Sequence, residues 1–174
     1  MSSAPSRSRR PVLLIAIAAA LVAAAVVLVV SLVASPSRPH GNYSVTDNAV
    51  TIDAAPVGNL GTILVSDQGF ALYMFPPDEQ RAVTCVDRCA LNWPPVIVPD
   101  GARVAAGAGV DPALLSTTTD RDGNKVATYH GWPLYLFAGD VAAGTATGQN
   151  QYLDGGYWYV IRPSGDVVKP GPQQ

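Results

Sequence analysis

One frame occurs twice in this chain without a gap: G-x-x-L-Y-x-F-x-x-D, starting at Gly69 and again at Gly131. The first copy carries Leu72, Tyr73, Phe75 and Asp78; the second carries Leu134, Tyr135, Phe137 and Asp140. A tryptophan landmark follows each copy, Trp93 ahead of Pro94, Pro95 and Val96, and Trp158 ahead of Tyr159, Val160 and Ile161. The copies stand 62 residues apart at the glycines and 65 apart at the tryptophans. One structural unit has been used twice, so any fold must place two like units together.

The first 40 residues belong to another physical regime. Arg7, Arg9 and Arg10 precede an apolar run that continues to Ala34. A span over residues 11–34 is long enough to cross a hydrocarbon core of about 30 Å as a helix. It exceeds the apolar stretch of a cleaved signal peptide, about 7–15 residues. It therefore reads as an uncleaved signal-anchor, with residues 1–10 cytoplasmic. Residues 1–40 hold four arginines and no acid, which leaves seven Lys and Arg against thirteen Asp and Glu in the remainder, a net of −6. Basic residues ahead of the span stay inside, so the C-terminal part lies outside the cell membrane. An acidic ectodomain without a basic stripe gives no support for nucleic-acid binding.

Residues 35–48 read as a linker, with Pro36, Pro39 and Gly41 and no periodicity. Residues 49–168 form one domain, and the tail at 169–174 is frayed. The domain shows short β-branched and aromatic runs divided by Gly, Pro, Asn and Asp. Strands are expected at 50–53, 62–66, 71–75, 96–98, 125–130, 133–137 and 157–162. Asp122-Gly123 is expected to make a type I′ hairpin turn. Helical turns are expected only around 85–92 and 112–115. The chain is thus mostly β: a transmembrane helix plus two related antiparallel units, arranged as a pseudo-twofold sandwich or small barrel.

Side chains alternate along a strand. Tyr73 and Phe75 should then face one way and Leu72 and Met74 the other, with Tyr135 and Phe137 set against Leu134 and Leu136. Both faces are apolar, so both strands should be covered on each side. Asp78 and Asp140 each fall three residues after the motif Phe. A turn carboxylate commonly accepts backbone N–H groups; a sharper reading has the pseudo-twofold gather both into one cation or ligand site, with Tyr73 and Tyr135 beside them. Carboxylate oxygens suit calcium, although neither loop has the alternate acidic ligands of a calcium motif.

Tyr73-x-Phe75-x-x-Asp78 and Tyr135-x-Phe137-x-x-Asp140 resemble the bacterial family of secreted repeats of unknown function, also described as predicted lipoproteins with a Yx(FWY)xxD motif. Cys85-x-x-x-Cys89-Ala90-x-x-Trp93-Pro94-Pro95, the stretch from Gly131 to Tyr135, Gly148-Gln149 and Trp158-Tyr159-Val160 are similar to that family as well. The resemblance covers about residues 60–163 and implies an extracytoplasmic β-rich domain, with no established activity. Many relatives are lipid-anchored through a cysteine; here the cysteines are 85 and 89 alone, and the membrane span takes that role.

Two cysteines four residues apart in an exported chain are expected to pair. The loop they close is short, so the stabilisation is modest, about 2 kcal/mol. The alternative is a thiol-redox or copper-handling pair, since soft thiolates suit Cu(I), with His130 or Met74 as a further ligand. A conventional c-type haem attachment is excluded because it needs C-x-x-C-H. No nucleophile elbow, phosphate-binding loop or zinc-protease helix occurs. His40 lies in the linker, and His130 adjoins a turn without a catalytic partner in sequence. The reading is a membrane-anchored, non-enzymatic module without a cofactor that binds an envelope protein or small ligand. A copper or thiol protein built on Cys85 and Cys89 is the alternative, and an envelope hydrolase using the paired Asp residues a third.

Overall fold

The computed structural model describes residues 42–80 and 82–170. The expected span at 11–34, the cytoplasmic segment and most of the linker lie outside the described residues. Among the described residues, no helix is long and apolar enough to cross a membrane.

The body is mostly β. The first sheet holds β1 (Val45–Thr46), β2 (Ala49–Pro56) and β3 (Thr62–Ser66) in that order, with β6 (Arg103–Ala106) also on β2. The second holds β5 (Ile97–Val98), β8 (Lys125–Tyr129) and β7 (Leu115–Thr119), with β9 (Trp132–Pro133) also on β8. Two small pairs complete it: β4 (Tyr73–Met74) with β12 (Tyr159–Val160), and β10 (Tyr152–Leu153) with β11 (Gly156–Tyr157). Among the described residues no sheet closes on itself, so the expected small barrel is not formed there. One pairing departs from the expected antiparallel plan: β2 and β6 run parallel, from Ala49 beside Arg103 to Ile52 beside Ala106.

The duplication is visible as matched hairpins. Pro56 pairs with Thr62 and Asp53 with Val65 in the first; Thr119 pairs with Lys125 and Ser116 with Thr128 in the second. Between the units, Tyr73 and Tyr135 exchange backbone hydrogen bonds, N to O at 2.8 Å and 3.0 Å. These two residues mark the pseudo-twofold. On either side, Tyr73 pairs with Val160, and Tyr135 bridges to Pro95.

The motif strands lie between two apolar clusters, as their alternation requires. Leu72, Met74, Leu134 and Leu136 enter one cluster, with Val50, Ile52, Leu64 and Val96. Tyr73, Phe75 and Tyr135 enter the other, with Trp93, Trp158 and Val160, and Phe137 packs against it. Regular strand geometry is shorter than expected here. Residues 133–137 yield only β9 and isolated bridges, and the run at 157–162 is interrupted at Trp158.

Turn chemistry corrects a second expectation. Asp122-Gly123 does not form a type I′ turn: of the two, only Gly123 has positive φ, at 86°. A five-residue connection forms instead, because the Asp120 carboxylate accepts from the N–H groups of Asp122 and Asn124, both at 2.9 Å. Two-residue turns with both φ positive occur instead at Asp47-Asn48, His130-Gly131 and Asp154-Gly155, joining β1 to β2, β8 to β9 and β10 to β11. Helical structure falls where expected, at α1 (Arg88–Asn92) and in a 3-10 turn at Pro112–Leu114. Further 3-10 turns, at Gly58–Leu60 and Pro76–Asp78, had no periodic signal in the sequence.

Candidate functional site

The motif phenols and carboxylates meet crosswise. Tyr73 Oη donates to Asp140 Oδ2 at 2.7 Å, and Tyr135 Oη donates to Asp78 Oδ2 at 2.7 Å. Each Tyr therefore bonds the Asp of the other repeat. The remaining oxygen of each carboxylate is held by a threonine further along its own repeat. Asp78 Oδ1 accepts from the Thr84 N–H at 2.8 Å and hydroxyl at 2.6 Å. Asp140 Oδ1 accepts from the Thr147 N–H at 2.7 Å and hydroxyl at 2.6 Å. The Gly148 N–H closes the first phenol, donating to Tyr73 Oη at 3.1 Å.

Local sequence explains how each carboxylate reaches its place. Pro76-Pro77 fixes φ and starts a 3-10 turn, which carries Asp78 off the end of the strand and back towards the core. Asp78 is fully buried and Asp140 is 2% exposed. A buried carboxylate without donors would be costly, and the Thr and Tyr donors remove much of that penalty. Desolvation still dominates at Asp78 and raises its pKa, opposed by the Thr84 and Tyr135 hydrogen bonds. Burial and the neighbouring carboxylates hold both Tyr73 and Tyr135 neutral far above the ordinary phenol range.

Around these units the rings form a column that alternates between repeats. Phe75 stacks on Trp158 at 4.2 Å, Trp158 on Trp93 at 4.0 Å and 4° between planes, and Trp93 on Phe137 at 4.2 Å. Tyr73 meets Trp93 edge-on at 5.4 Å, and Tyr135 meets Trp158 edge-on at 5.1 Å. Each such pair adds about 0.5–1.5 kcal/mol beyond its buried area. The symmetry breaks at the indole nitrogens. Trp158 Nε1 donates to Leu153 O at 3.0 Å, whereas the buried Trp93 Nε1 has no partner among the described residues.

The four motif residues are thus brought together, but into two buried locks rather than one solvent-facing cleft. All four oxygens of the two carboxylates accept from protein donors. Among the described residues no three His, Cys, Asp or Glu side chains gather as a metal centre. Cys85 and Cys89 are joined in a disulfide, with Cα atoms 5.2 Å apart. Met74 lies in the opposite cluster from Cys85, and His130 Nδ1 faces Gly165 O at 3.3 Å, so neither completes a site with the sulfurs. Sequence reasoning missed Thr84 and Thr147; their signal was a threonine six or seven residues after each motif Asp.

Fold and site together define a duplicated β module whose repeats lock each other through exchanged Tyr–Asp bonds. The chain belongs to the family of secreted repeats of unknown function, whose model matches residues 57–97 and 116–162, together half of its length. Each match contains one copy of the motif and the tryptophan that follows it. No curated protein and no solved structure matches the chain.

Proposed function

We propose that this protein is a membrane-tethered extracytoplasmic binding module without catalytic chemistry. The observation that carries the reading is the burial of Tyr73, Tyr135, Asp78 and Asp140, whose polar atoms are all engaged inside the fold. The groups that the motif supplies for acid–base work have no access to a substrate, and that favours architecture over turnover. The apolar stretch at 11–34 supports a tether, with the acidic body outside the membrane.

Incubation of the full chain with isolated envelope fractions tests this. Co-sedimentation should be saturable, with no low-mass product released over hours. Product release that scales with protein concentration overturns it.

The second reading, a thiol or copper protein, draws on the Cys85–Cys89 pair. It requires the disulfide to open and a thiolate pair to take up Cu(I). Metal content of chain purified reduced and without oxygen decides: stoichiometric copper supports it, and none removes it.

A further inference from the structure

The outer edge of the matched hairpins is covered in one repeat and open in the other. Pro56 opposite Thr62 in the first matches Thr119 opposite Lys125 in the second, so Ile52 corresponds to Leu115 and Ala54 to Thr117. A strand running parallel to β2 takes the outward groups of the first edge. β6 pairs with Ala49–Ile52, and the chain after it continues along the same edge. Gly107 N–H donates to Ile52 O at 2.8 Å, and Ala54 N–H donates to Ala108 O at 2.9 Å. Pro56 then blunts the edge, because it has no N–H to offer.

The hydrogen-bond pattern of β8 shows which groups of β7 face outward. Ala127 turns both its backbone groups away from β7, its N–H to Val96 O and its C=O to the Leu134 N–H. Val126 and Thr128 therefore face β7, where they oppose Thr118 and Ser116. Leu115, Thr117 and Thr119 point to the other side. The Leu115 N–H is used within the preceding 3-10 turn, donating to Pro112 O. The Leu115 C=O, both backbone groups of Thr117 and the Thr119 N–H have no partner among the described residues. β6 comes near β7 but pairs with β2 alone. The stretch one repeat after β6 is also engaged elsewhere: Val167 bridges to Ile161, and Val168 N–H donates to Val160 O.

The open edge reaches solvent. Thr117 and Thr119 are exposed, and a groove of about 590 Å³ is lined by every residue from Ala113 to Thr118. Side chains alternate between faces, so lining by consecutive residues places the groove along the backbone edge. A row of unpaired N–H and C=O groups is a template for another strand. We propose that the outer edge of β7 receives an extended peptide segment of a partner protein, added parallel to β7 as a further strand. The first repeat supplies the pattern: the segment donates to Leu115 O and accepts from the Thr117 N–H, as Gly107 and Ala108 do for Ile52 and Ala54. A Cβ added at Gly107 would collide with the Asp53 carboxylate. Ser116 takes the place of Asp53 by register, so the second edge admits side chains that the first excludes. Main-chain bonds then supply the affinity. The proposal names the partner class for the binding module above and rests on that reading.

Titration of the ¹⁵N-labelled full chain in detergent with an end-blocked peptide of residues 102–109, the stretch that fills the first edge, tests it. At millimolar peptide, saturable shifts and slowed amide exchange should appear at Thr117 and Thr119. Alternate N–H groups of an extended strand point to one side. N-methylation of one alternate set in the peptide should therefore abolish binding, and methylation of the other set should leave it. Thr119→Pro copies Pro56 of the first repeat and should fold; it should weaken binding by about tenfold, the scale of one lost hydrogen bond. Absence of shifts at β7, equal effects of the two methylated sets, or binding indifferent to Thr119→Pro overturns the proposal. So do β7 shifts that grow with protein concentration without peptide, which would assign the edge to a second copy. Envelope co-sedimentation undiminished in Thr119→Pro would remove β7 as the partner's seat and leave the binding module. Absence of co-sedimentation by the unaltered chain would remove the module reading too.

Discussion

Tyr73 and Asp140, 67 residues apart, share a buried hydrogen bond of 2.7 Å, and its mirror joins Tyr135 to Asp78. Each repeat thereby supplies the donor for the other's buried carboxylate. A single unit alone would leave its phenol and one oxygen of its carboxylate without these partners, which gives a physical reason for the motif to occur in pairs.

Tyr73→Phe should destabilise the fold by about 1–3 kcal/mol, because it leaves Asp140 short of a donor in a buried site. Asp140→Asn should cost a similar amount. The two together should fall short of the sum, since they break one bond. Urea unfolding of the four proteins measures the coupling. Full additivity would mean that the bond contributes nothing specific.

The Trp93–Trp158 stack should give a strong near-ultraviolet dichroism couplet, abolished by replacing either ring. Trp158→Phe should also cost more stability than Trp93→Phe, by about 1 kcal/mol. Only Trp158 loses an indole hydrogen bond, that to Leu153 O. Thermal unfolding of the two variants checks the order.

Gly148→Ala should destabilise by about 1–3 kcal/mol through overpacking. A Cβ there would stand 2.7 Å from the Trp93 ring and 3.0 Å from the Tyr73 ring, both held in the column. Gly123→Ala has open space and tests backbone strain alone, since its φ is 86°. Chemical denaturation should place Gly148→Ala lower, and dichroism should show the Trp couplet altered only in that variant.

Alkaline stability follows from the raised pKa values of Tyr73 and Tyr135. In the unfolded chain both ionise near about pH 10. The folded state keeps them neutral, so their contribution is complete below that pH and is lost as pH rises above it. Absorbance titration should show the exposed tyrosines ionising first, with the last ionisations coincident with loss of the Trp dichroism. Asp78 acts at the acid end with the same sign. Its contribution is complete below its unfolded pKa and declines as pH rises through the higher folded value.

Reduction of the Cys85–Cys89 bond should lower stability by about 2 kcal/mol, since the closed loop is short. Cys85 lies in the same buried cluster as Tyr135, so the loosened segment adjoins the second lock. Thermal unfolding with and without reductant, with alkylation to count thiols, measures this.

Much of the fold was legible locally. The two-residue period of a strand assigned Leu72 and Met74 to one cluster and Tyr73 and Phe75 to the other, as observed. β7 went unread because Leu-Ser-Thr-Thr-Thr has no apolar alternation, although its β-branched threonines carried a strand preference. β6 escaped because a parallel partner need not lie near in the chain.

What sequence alone determined is the doubling, the side chains turned to each face and the nearness of the two sulfurs, because each depends on residues a few positions apart. Tertiary structure decided which tyrosine meets which aspartate and how the tryptophans stack. Those outcomes depend on how two similar units dock, and contacts spanning 57 and 67 residues leave no periodic trace along the chain.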